Sequence, residues 1–249
     1  MSFAPDYRSA QAVASPNHDA RAHAIDILLL HYTGMRSAEA ARARLTDPAQ
    51  KVSAHYLVHE DGRIEQLVAE ARRAWHAGVS SWQGADDINS RAIGIEIVNR
   101  GHDFDYPDFP DAQIEAVIAL CGDILARQRI APARVLAHSD VAPGRKQDPG
   151  EKFPWARLAA AGIGLWVAPA PIRPGRVLGP DARGEQVAEL QRLLARFGYA
   201  VDITHRYDAP TAAAVTAFQQ HYRPARVDGI ADFSTVDTLR RLLTAASGA

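Results

Sequence analysis

The chain has 249 residues, of which 28 are basic and 29 acidic, so its formal net charge at neutral pH is -1. This near balance provides no basic face for nucleic acid or an anionic membrane, and it argues against both as partners. A chain of this length can bury roughly three quarters of its unfolded surface, which allows one large domain or two small ones. The single cysteine, Cys121, excludes an intramolecular disulfide, and we expect it to fill the core.

The first 24 residues are polar and contain proline, and they predict an extended N-terminal arm. They lack a basic start followed by an apolar stretch, which argues against a secretory signal and against a membrane span. As it stands, the sequence therefore predicts a cytoplasmic protein with no transmembrane segment. We also expect a monomer.

The first strong signal in the chain is the continuous apolar run of residues 25–34, IDILLLHYTG. Such a run predicts a strand buried on both faces, and Thr33-Gly34 predicts the turn that closes it. His31 should therefore lie at the end of a buried strand. A helix is predicted over 37–45, where Asp47-Pro48 ends it, and a hairpin is predicted for 55–67 around Asp61-Gly62.

A long loop and a polar strand position follow the hairpin. Residues 72–89 are rich in Trp, Gly, Ser and Asp without a period, which predicts a loop that lines a site. In the strand predicted for 93–98, the isoleucines alternate, so Glu96 points away from the isoleucine face. A carboxylate within so apolar a strand favours a functional role.

The apolar residues of 111–128 recur at helical spacing, which predicts a helix that covers one face of the sheet. Strands that alternate with helices predict an α/β fold, and the short hairpin spacing makes its sheet mixed. The predicted fold class is therefore α/β, with a mixed central sheet flanked by helices and a small all-α domain of three helices at the C-terminus.

The segment 135–155, VLAHSDVAPGRKQDPGEKFPW, places a histidine and an aspartate in one turn-rich loop. His138 ends a short apolar strand as His31 does, and prolines and glycines then fold the chain back so that Asp148 returns to it. Two histidines and one carboxylate suit a zinc ion, and a fourth position left for water is typical of a catalytic site. Lys146 lies two residues before Asp148.

The amino-acid composition changes near Pro169, and residues 169–176 predict a proline-rich linker. We expect it to separate a domain of residues 1–168, with an arm over 1–24, from a three-helix domain of residues 177–249, and to hold the latter at a distance. Asp208-x-x-Thr211 and Asp232-x-x-Thr235 form a weak repeat in that domain, where we expect Ser234 to cap the last helix. Taken alone, the helices could equally serve dimerisation or docking.

Together these motifs resemble the type-2 family of zinc-dependent N-acetylmuramoyl-L-alanine amidases, in its AmiD-type branch. The resemblance rests on motifs in the family's order and spacing, which are His31-Tyr32-Thr33, Ser53-x-His55-Tyr56, Trp75-His76-Ala77-Gly78, Gly94-Ile95-Glu96 with the block through Gly101, and His138 through Asp148-Pro149-Gly150. Residues of the last domain, among them Ala217-Phe218-Gln219 and Val227-Asp228-Gly229, resemble a peptidoglycan-binding module.

The resemblance implies one zinc per chain, held by His31, His138 and Asp148, and peptidoglycan or muropeptides as partners. Glu96 is then the candidate general base and acid, and Lys146 the candidate stabiliser of the oxyanion. It also implies a cell-envelope location, as an alternative to the cytoplasm. The implied substrate contacts are Tyr56, His76, Arg91, Asn99 and Arg100.

Two alternatives remain open from the sequence. His55, Asp61 and His76 faintly resemble the ligands of zinc D,D-carboxypeptidases, although the spacing from histidine to aspartate is one residue short. A noncatalytic peptidoglycan-recognition protein would keep the fold without the chemistry. Such proteins usually lack a metal ligand, and none is missing in this sequence.

Overall fold

The computed structural model describes residues 3–247. The strands are β1 (Gln11–Ala12), β2 (His18–Ala20), β3 (Ile27–Tyr32), β4 (Tyr56–Val58), β5 (Ile64–Gln66), β6 (Arg72–Ala74), β7 (Ala92–Ile97) and β8 (Val135–Ala137). The α-helices are α1 (Ala38–Thr46), α2 (Ile88–Arg91), α3 (Asp111–Arg127), α4 (His138–Val141), α5 (Trp155–Ala160), α6 (Glu185–Phe197), α7 (Ala209–Tyr222) and α8 (Phe233–Ser247).

The central sheet has six strands in the order β1-β5-β4-β7-β3-β8. Strand β3 pairs in parallel with β7 on one side and with β8 on the other, and β4 also runs parallel to β7. The hairpin of β4 and β5 is antiparallel, with Val58 opposite Ile64. The sheet is therefore mixed, and both the predicted fold class and the predicted hairpin are confirmed.

The N-terminal arm is more ordered than the sequence predicted. Strand β1 joins the edge of the main sheet beside β5, and β2 pairs with β6 in a second sheet of two strands. Arg21 then fastens the arm, because its guanidinium donates hydrogen bonds to the backbone carbonyls of Glu70, Ser90 and Ala92. The predicted loop of residues 72–89 accordingly begins with a strand and ends in α2.

Side chains of β3 alternate between the two faces of the sheet. Leu28 and Leu30 share one apolar cluster with Ile114, Val117 and other residues of α3, as the helical spacing predicted. Cys121 lies buried in the same cluster. Helix α3 thus covers one face, while Ile27 and Leu29 point to the opposite face of the sheet.

That opposite face is covered by the C-terminal helices, which corrects the expectation that the linker holds them at a distance. Ile27 and Leu29 belong to one continuous apolar cluster with Leu190 of α6 and Phe218 of α7. Trp82, which is 1% exposed, packs edge-on against Phe197 and Tyr199, with ring centroids 5.9 and 5.1 Å away. The proline-rich segment therefore leads into a docked unit.

The weak sequence repeat in the C-terminal unit is a pair of helix caps. At the start of α7, Asp208 Oδ1 accepts hydrogen bonds from the backbone and the hydroxyl of Thr211, at 3.0 and 2.6 Å. Asp232 does the same for Thr235 at the start of α8, at 2.8 and 2.9 Å. The predicted cap at Ser234 is wrong, because its hydroxyl instead donates to the Ala170 carbonyl.

No helix between residues 3 and 247 is both long enough and apolar enough to cross a membrane.

Candidate active site

His31 and Glu96 point to the same face of the sheet because they occupy paired positions on neighbouring strands. His31 near the end of β3 is the register partner of Glu96 near the end of β7. The isoleucines that flank Glu96 all lie in the cluster on the α3 face. Since side chains alternate along a strand, Glu96 points to the other face, as the sequence predicted.

His138 and Asp148 meet because the loop between them folds back. His138 follows the last residue of β8 and is the first residue of α4. The backbone N–H of Ser139 donates a hydrogen bond to the carbonyl of Asp148 at 3.0 Å, which closes the loop. As a result, Asp148 Oδ2 lies 3.0 Å from His138 Nδ1 and 3.1 Å from His31 Nδ1, while the two Nδ1 atoms are 2.9 Å apart.

These three buried side chains are the group of potential metal ligands found in the described part of the chain. Ligand distances of about 2.0–2.2 Å at zinc place two ligands of one tetrahedral ion about 3.3–3.6 Å apart. The three ligand atoms are already gathered to within a few tenths of an ångström of that spacing. The predicted convergence of His31, His138 and Asp148 is therefore what the structure shows.

The outward nitrogen of His138 identifies the tautomer of its ring. His138 Nε2 lies 3.0 Å from the carbonyl oxygen of Ala77, which can only accept, so Nε2 carries the proton. His31 Nε2 lies 3.1 Å from His76 Nδ1. The Nδ1 atoms of both histidines face the carboxylate of Asp148, an arrangement of nitrogen and oxygen atoms that suits a bound cation.

Burial and neighbouring side chains together shift the pKa values of His31 and Asp148. Burial, and next the proximity of His138, lowers the pKa of His31 to about 4, so His31 is neutral at physiological pH. Burial alone would raise the pKa of Asp148, but its contacts with His138, and next with His31, lower it well below its ordinary value. Neutral imidazole and ionised carboxylate are the protonation states that bind zinc.

Glu96 is partly buried, and its Oε2 atom is inaccessible and lacks a hydrogen-bond partner among residues 3–247. Burial, reinforced by the nearby charge of Asp148 and opposed by that of Lys146, raises the pKa of Glu96 well above its ordinary value. A carboxylate with a raised pKa beside potential metal ligands is suited to take up and release a proton.

The cavity above these residues has a volume of about 400 Å³. Lys146 is exposed at its rim, so the structure places it in the same cavity as Glu96, His138 and Asp148. The lining also includes residues of the loop after β3 and of α1, namely Thr33, Gly34, Met35, Ala41, Arg44 and Leu45.

His76 lies both behind His31 and on the cavity wall. Besides its contact with His31, its backbone N–H donates to Asn89 Oδ1 at 2.9 Å. Its ring crosses the backbone of β7 at Gly94, where an added Cβ would come within 2.5 Å of the ring. Gly94 is therefore a supporting residue that the sequence did not identify by role, although it stands in the motif with Glu96.

Arg145 is a second residue of the site that the sequence did not reveal. Its guanidinium donates to the carbonyls of Ala77 and Val79, at 2.6 and 2.7 Å. Ala77 is also the residue whose carbonyl accepts from His138. Arg145 thus ties the 77–79 loop to the loop of Asp148, and only its position beside Lys146 could have drawn attention to it.

The structure contradicts the substrate role expected for Tyr56. Its register partner on β7 is Ile95, so its side chain belongs to the face opposite His31 and Glu96. Tyr56 is 0% exposed, and its hydroxyl donates to Glu70 Oε1 at 2.6 Å. Its hydrogen-bond partner is thus inside the core, and Tyr56 is a structural residue.

Arg91, Asn99 and Arg100 are also not brought to the cavity. Arg91 pairs with Asp26 at the start of β7, about 16 Å along the strand from Glu96 at a rise of 3.3 Å per residue. Asn99 is 4% exposed because its amide group joins the loop around it. Its Nδ2 donates to the Pro107 carbonyl, and its Oδ1 accepts from the Gly101 N–H. Arg100 pairs with Asp105 on the surface.

The alternative ligand set of a D,D-carboxypeptidase is not assembled. Asp61 is exposed in the hairpin turn and pairs with Arg63. His55 is buried, and its Nε2 lies 2.7 Å from the guanidinium of Arg21. His76 contacts His31 instead.

Two parts of the chain match known protein families. Residues 21–151 match the N-acetylmuramoyl-L-alanine amidase family, and residues 183–239 match a peptidoglycan binding domain. The chain is 43% identical over 235 residues to the N-acetylmuramoyl-L-alanine amidase AmiD of Escherichia coli (strain K12), which covers 88% of this chain and 82% of that protein. It is 41% identical over 110 residues to the 1,6-anhydro-N-acetylmuramyl-L-alanine amidase AmpD of Citrobacter freundii, with 44% of this chain and 57% of that protein covered.

Two solved structures are similar over most of their length. The complex of AmiD from E. coli with anhydro-N-acetylmuramic acid-L-Ala-D-gamma-Glu-L-Lys has a TM-score of 0.76 at 40% identity, and the match covers 91% of this chain and 92% of that chain. AmpDH3 from Pseudomonas aeruginosa, in complex with an anhydromuramic pentapeptide, has a TM-score of 0.71 at 36% identity, with 87% and 90% covered. With a family model that matches more than half of its length, the chain belongs to the N-acetylmuramoyl-L-alanine amidase family.

Proposed function

We propose that this chain hydrolyses the amide bond between the lactyl group of N-acetylmuramic acid, or of its anhydro form, and the L-alanine of a peptidoglycan stem peptide. The observation that carries the proposal is the convergence of His31, His138 and Asp148 beside a cavity that Glu96 and Lys146 line together with two of these three residues. Peptidoglycan, or the muropeptides released from it, is the partner that this activity requires.

His31, His138 and Asp148 would hold one zinc ion per chain. The donor set fits, because one imidazole nitrogen from each histidine and a carboxylate oxygen converge within about 3 Å of one another. When bound, such an ion lowers the pKa of a coordinated water to about 7 and polarises a substrate carbonyl. Three protein ligands leave one position open, which favours a catalytic ion over a structural one.

Glu96 is the group proposed to move the proton. Its side chain lies beside His31, and its raised pKa allows it to accept a proton from water and then deliver it to the departing L-alanine amine. The amine must be protonated to leave, so one carboxylate with a suitable pKa serves both steps. A mere ion pair would instead give Glu96 Oε2 a partner within the fold, and it has none among the described residues.

Lys146 is proposed to stabilise the negative charge that develops on the substrate carbonyl oxygen. Its ammonium group stands on the loop of Asp148 and lines the cavity opposite the strand of Glu96. A cation that approaches the developing negative charge lowers the energy of the transition state. His76 is proposed to orient His31 rather than to act as a ligand, since it contacts the outward nitrogen of that ring.

The division of the chain is also a proposal. We place the amidase unit in residues 1–168, including the arm of 1–24, the linker in 169–176 and the peptidoglycan-binding unit in 177–249. The match of residues 183–239 to a peptidoglycan binding domain supports a wall-binding role for the last unit. The cytoplasmic location, its envelope alternative and the monomeric state stay predictions, which cell fractionation and light scattering would test.

Mass spectrometry of products from a defined muropeptide tests the proposed reaction. The expected products are the intact muramic acid derivative and a stem peptide with a free L-alanine amine. Release of D-alanine with the lactyl amide intact would contradict the amidase and favour a carboxypeptidase. Binding of the muropeptide without any product would favour a noncatalytic recognition protein, although the complete ligand set argues against that alternative.

A further inference from the structure

The carboxylate of Asp140 joins the loop that carries His138 to the C-terminal helices. Asp140 lies in α4, two residues after His138, and is 0% exposed. Its Oδ2 accepts a hydrogen bond from the Ala137 backbone N–H at 2.8 Å, across the first turn of α4. From the C-terminal unit, the Tyr199 hydroxyl donates to Oδ1 and His221 Nδ1 donates to Oδ2, each at 2.6 Å.

Through these contacts, each carboxylate oxygen of the buried Asp140 has at least one hydrogen-bond donor. A carboxylate accepts hydrogen bonds at both oxygens, and burying it is costly unless donors reach it. The amidase unit contributes one donor, the Ala137 N–H, and the C-terminal unit contributes two. Without Tyr199 and His221, the Asp140 side chain would lose its partner at Oδ1 and one of two at Oδ2.

The two donors are themselves held in place. The imidazole of His221 is stacked between Trp155 and Tyr222, with ring centroids 3.7 Å away on each side. Trp155 belongs to the amidase unit, so the two units clamp the ring. Tyr199 packs against Trp82 and is 2% exposed. Neither donor can turn away from Asp140 without displacing a buried aromatic ring.

Helix α4 needs such external support. It has four residues, and an isolated single turn of helix is unstable because one hydrogen bond cannot offset the ordering of several residues. His138 is its first residue, and the direction of the His138 ring follows from the backbone of that turn. Contacts that hold Asp140 in place therefore also restrict the backbone from which the His138 ring projects.

We propose that Tyr199 and His221 are positioning residues of the metal site, which act through Asp140 on His138. The C-terminal helices then form part of the catalytic apparatus in addition to any role in wall binding. This inference rests on the proposed zinc-dependent function. It differs from a purely structural role, in which the same contacts would stabilise the fold and leave the properties of the metal unchanged.

Four single variants of the full chain separate the two roles. Tyr199→Phe removes only the hydroxyl that reaches Asp140. His221→Phe keeps a stacked ring without a donor, whereas His221→Asn keeps a donor near the position of Nδ1 without the stack. Tyr207→Phe is the matched control. Its hydroxyl also donates a 2.6 Å hydrogen bond inside the C-terminal unit, but to the Gly229 carbonyl and not to Asp140.

The measurements are zinc affinity by chelator competition, the absorption spectrum of the cobalt-substituted protein, Tm, and kcat and KM on a soluble anhydromuropeptide. Tyr199→Phe and His221→Phe should weaken zinc binding and lower kcat by about tenfold, with KM unchanged and an altered cobalt spectrum. His221→Asn should keep values near those of the unmodified chain. Tyr207→Phe should lower Tm alone.

The proposal is overturned if Tyr199→Phe and His221→Phe lower Tm as Tyr207→Phe does while zinc affinity, cobalt spectrum and kcat stay unchanged. It is equally overturned if His221→Asn loses zinc affinity as His221→Phe does, because packing and not the donor would then matter. Zinc affinity and the cobalt spectrum require no substrate. An unmodified chain that binds zinc without hydrolysing muropeptides would therefore contradict the proposed reaction and leave this test of positioning intact.

Discussion

Glu96 and His31 are register partners on two parallel strands, so the proposed proton-transfer group and a proposed metal ligand are held by backbone hydrogen bonds of the sheet. The strand of His138 flanks β3 on its other side. Because parallel strands end at one edge of a sheet, three side chains of the site meet there without long connecting loops. Asp148 and Lys146 depend on the conformation of the loop after α4, and His138 depends on the single turn of α4 that follows β8.

Replacing Glu96 by glutamine tests its proposed role directly. The amide keeps the size of the side chain and cannot accept the proton, so kcat should fall by about 100-fold or more while zinc content stays at one per chain. Glu65→Gln is a matched control, since Glu65 is also a buried strand glutamate but pairs with Arg42 and His59 outside the cavity. Unchanged turnover in Glu96→Gln would remove the proton-transfer role.

The pH dependence of kcat/KM should carry the signature of the buried carboxylate. Burial is the larger cause of the raised pKa of Glu96, with the charge of Asp148 second. The active form is the carboxylate, so the rate should fall as pH decreases through that raised pKa, at a pH above the ordinary glutamate value of about 4.3. An acid limb at or below the ordinary value in steady-state kinetics would contradict this assignment.

Zinc content provides a test of the ligand set that does not depend on substrate. Elemental analysis should find about one zinc per unmodified chain, and His138→Ala should lose it because two protein ligands remain of three. His59→Ala is the control, as His59 is 5% exposed and contacts Glu65 rather than the cavity. If His138→Ala retains zinc and His59→Ala loses it, the site has been misplaced.

Much of this site could be predicted from the sequence because it depends on local patterns. An apolar run that ends in a histidine predicted the position of His31, and alternation along β7 predicted the direction of Glu96. The turn residues between His138 and Asp148 predicted a reversing loop. Each of these signals acts within about ten residues, and the sheet register then brings the segments together.

Contacts between distant segments could not be predicted in this way. Tyr56 and Asn99 stand in motifs that resemble the family, yet their partners, Glu70 and the 101–107 loop, decide that they serve the fold. Tyr199 and Asp140 lie in separate units, and no local pattern pairs them. The proline-rich linker led to a wrong expectation. Its composition indicates how stiff the segment is, but it does not indicate which surface the following helices pack against.

Tyr56→Phe tests whether Tyr56 stabilises the fold and does not contact the substrate. Loss of its hydroxyl removes the hydrogen bond to Glu70, which is also bound by Arg127, so the free energy of unfolding should fall by about 1–3 kcal/mol. KM and kcat on a soluble muropeptide should not change, since the ring lies on the far side of the sheet. Denaturant unfolding and steady-state kinetics measure the two effects separately, and a raised KM with unchanged stability would restore the substrate role.

Removal of the C-terminal unit gives the broadest test of the docked arrangement. The linker alone predicted a tethered module, whose loss would spare zinc binding and turnover of small soluble substrates. The shared core leads to the opposite expectation. A chain that ends at Pro171 would expose Ile27, Leu29 and Trp82 to water and would leave Asp140 without Tyr199 and His221.

The packing energy lost on removal of the C-terminal unit is comparable to the stability of a whole domain. Loss of packing around one large buried side chain costs about 3–5 kcal/mol, whereas the whole stability of a domain is about 5–15 kcal/mol. The shortened chain should therefore unfold at a much lower temperature, bind zinc poorly and lose activity on soluble muropeptides as well as on intact wall. Phe233→Ser in the full chain is the control. Because Phe233 is 49% exposed, this substitution should leave the activity on soluble muropeptides unchanged. A shortened chain with cooperative unfolding, one zinc and full activity on soluble substrate would show that the helices are a dispensable tether, and that their contacts with the sheet contribute little to the site.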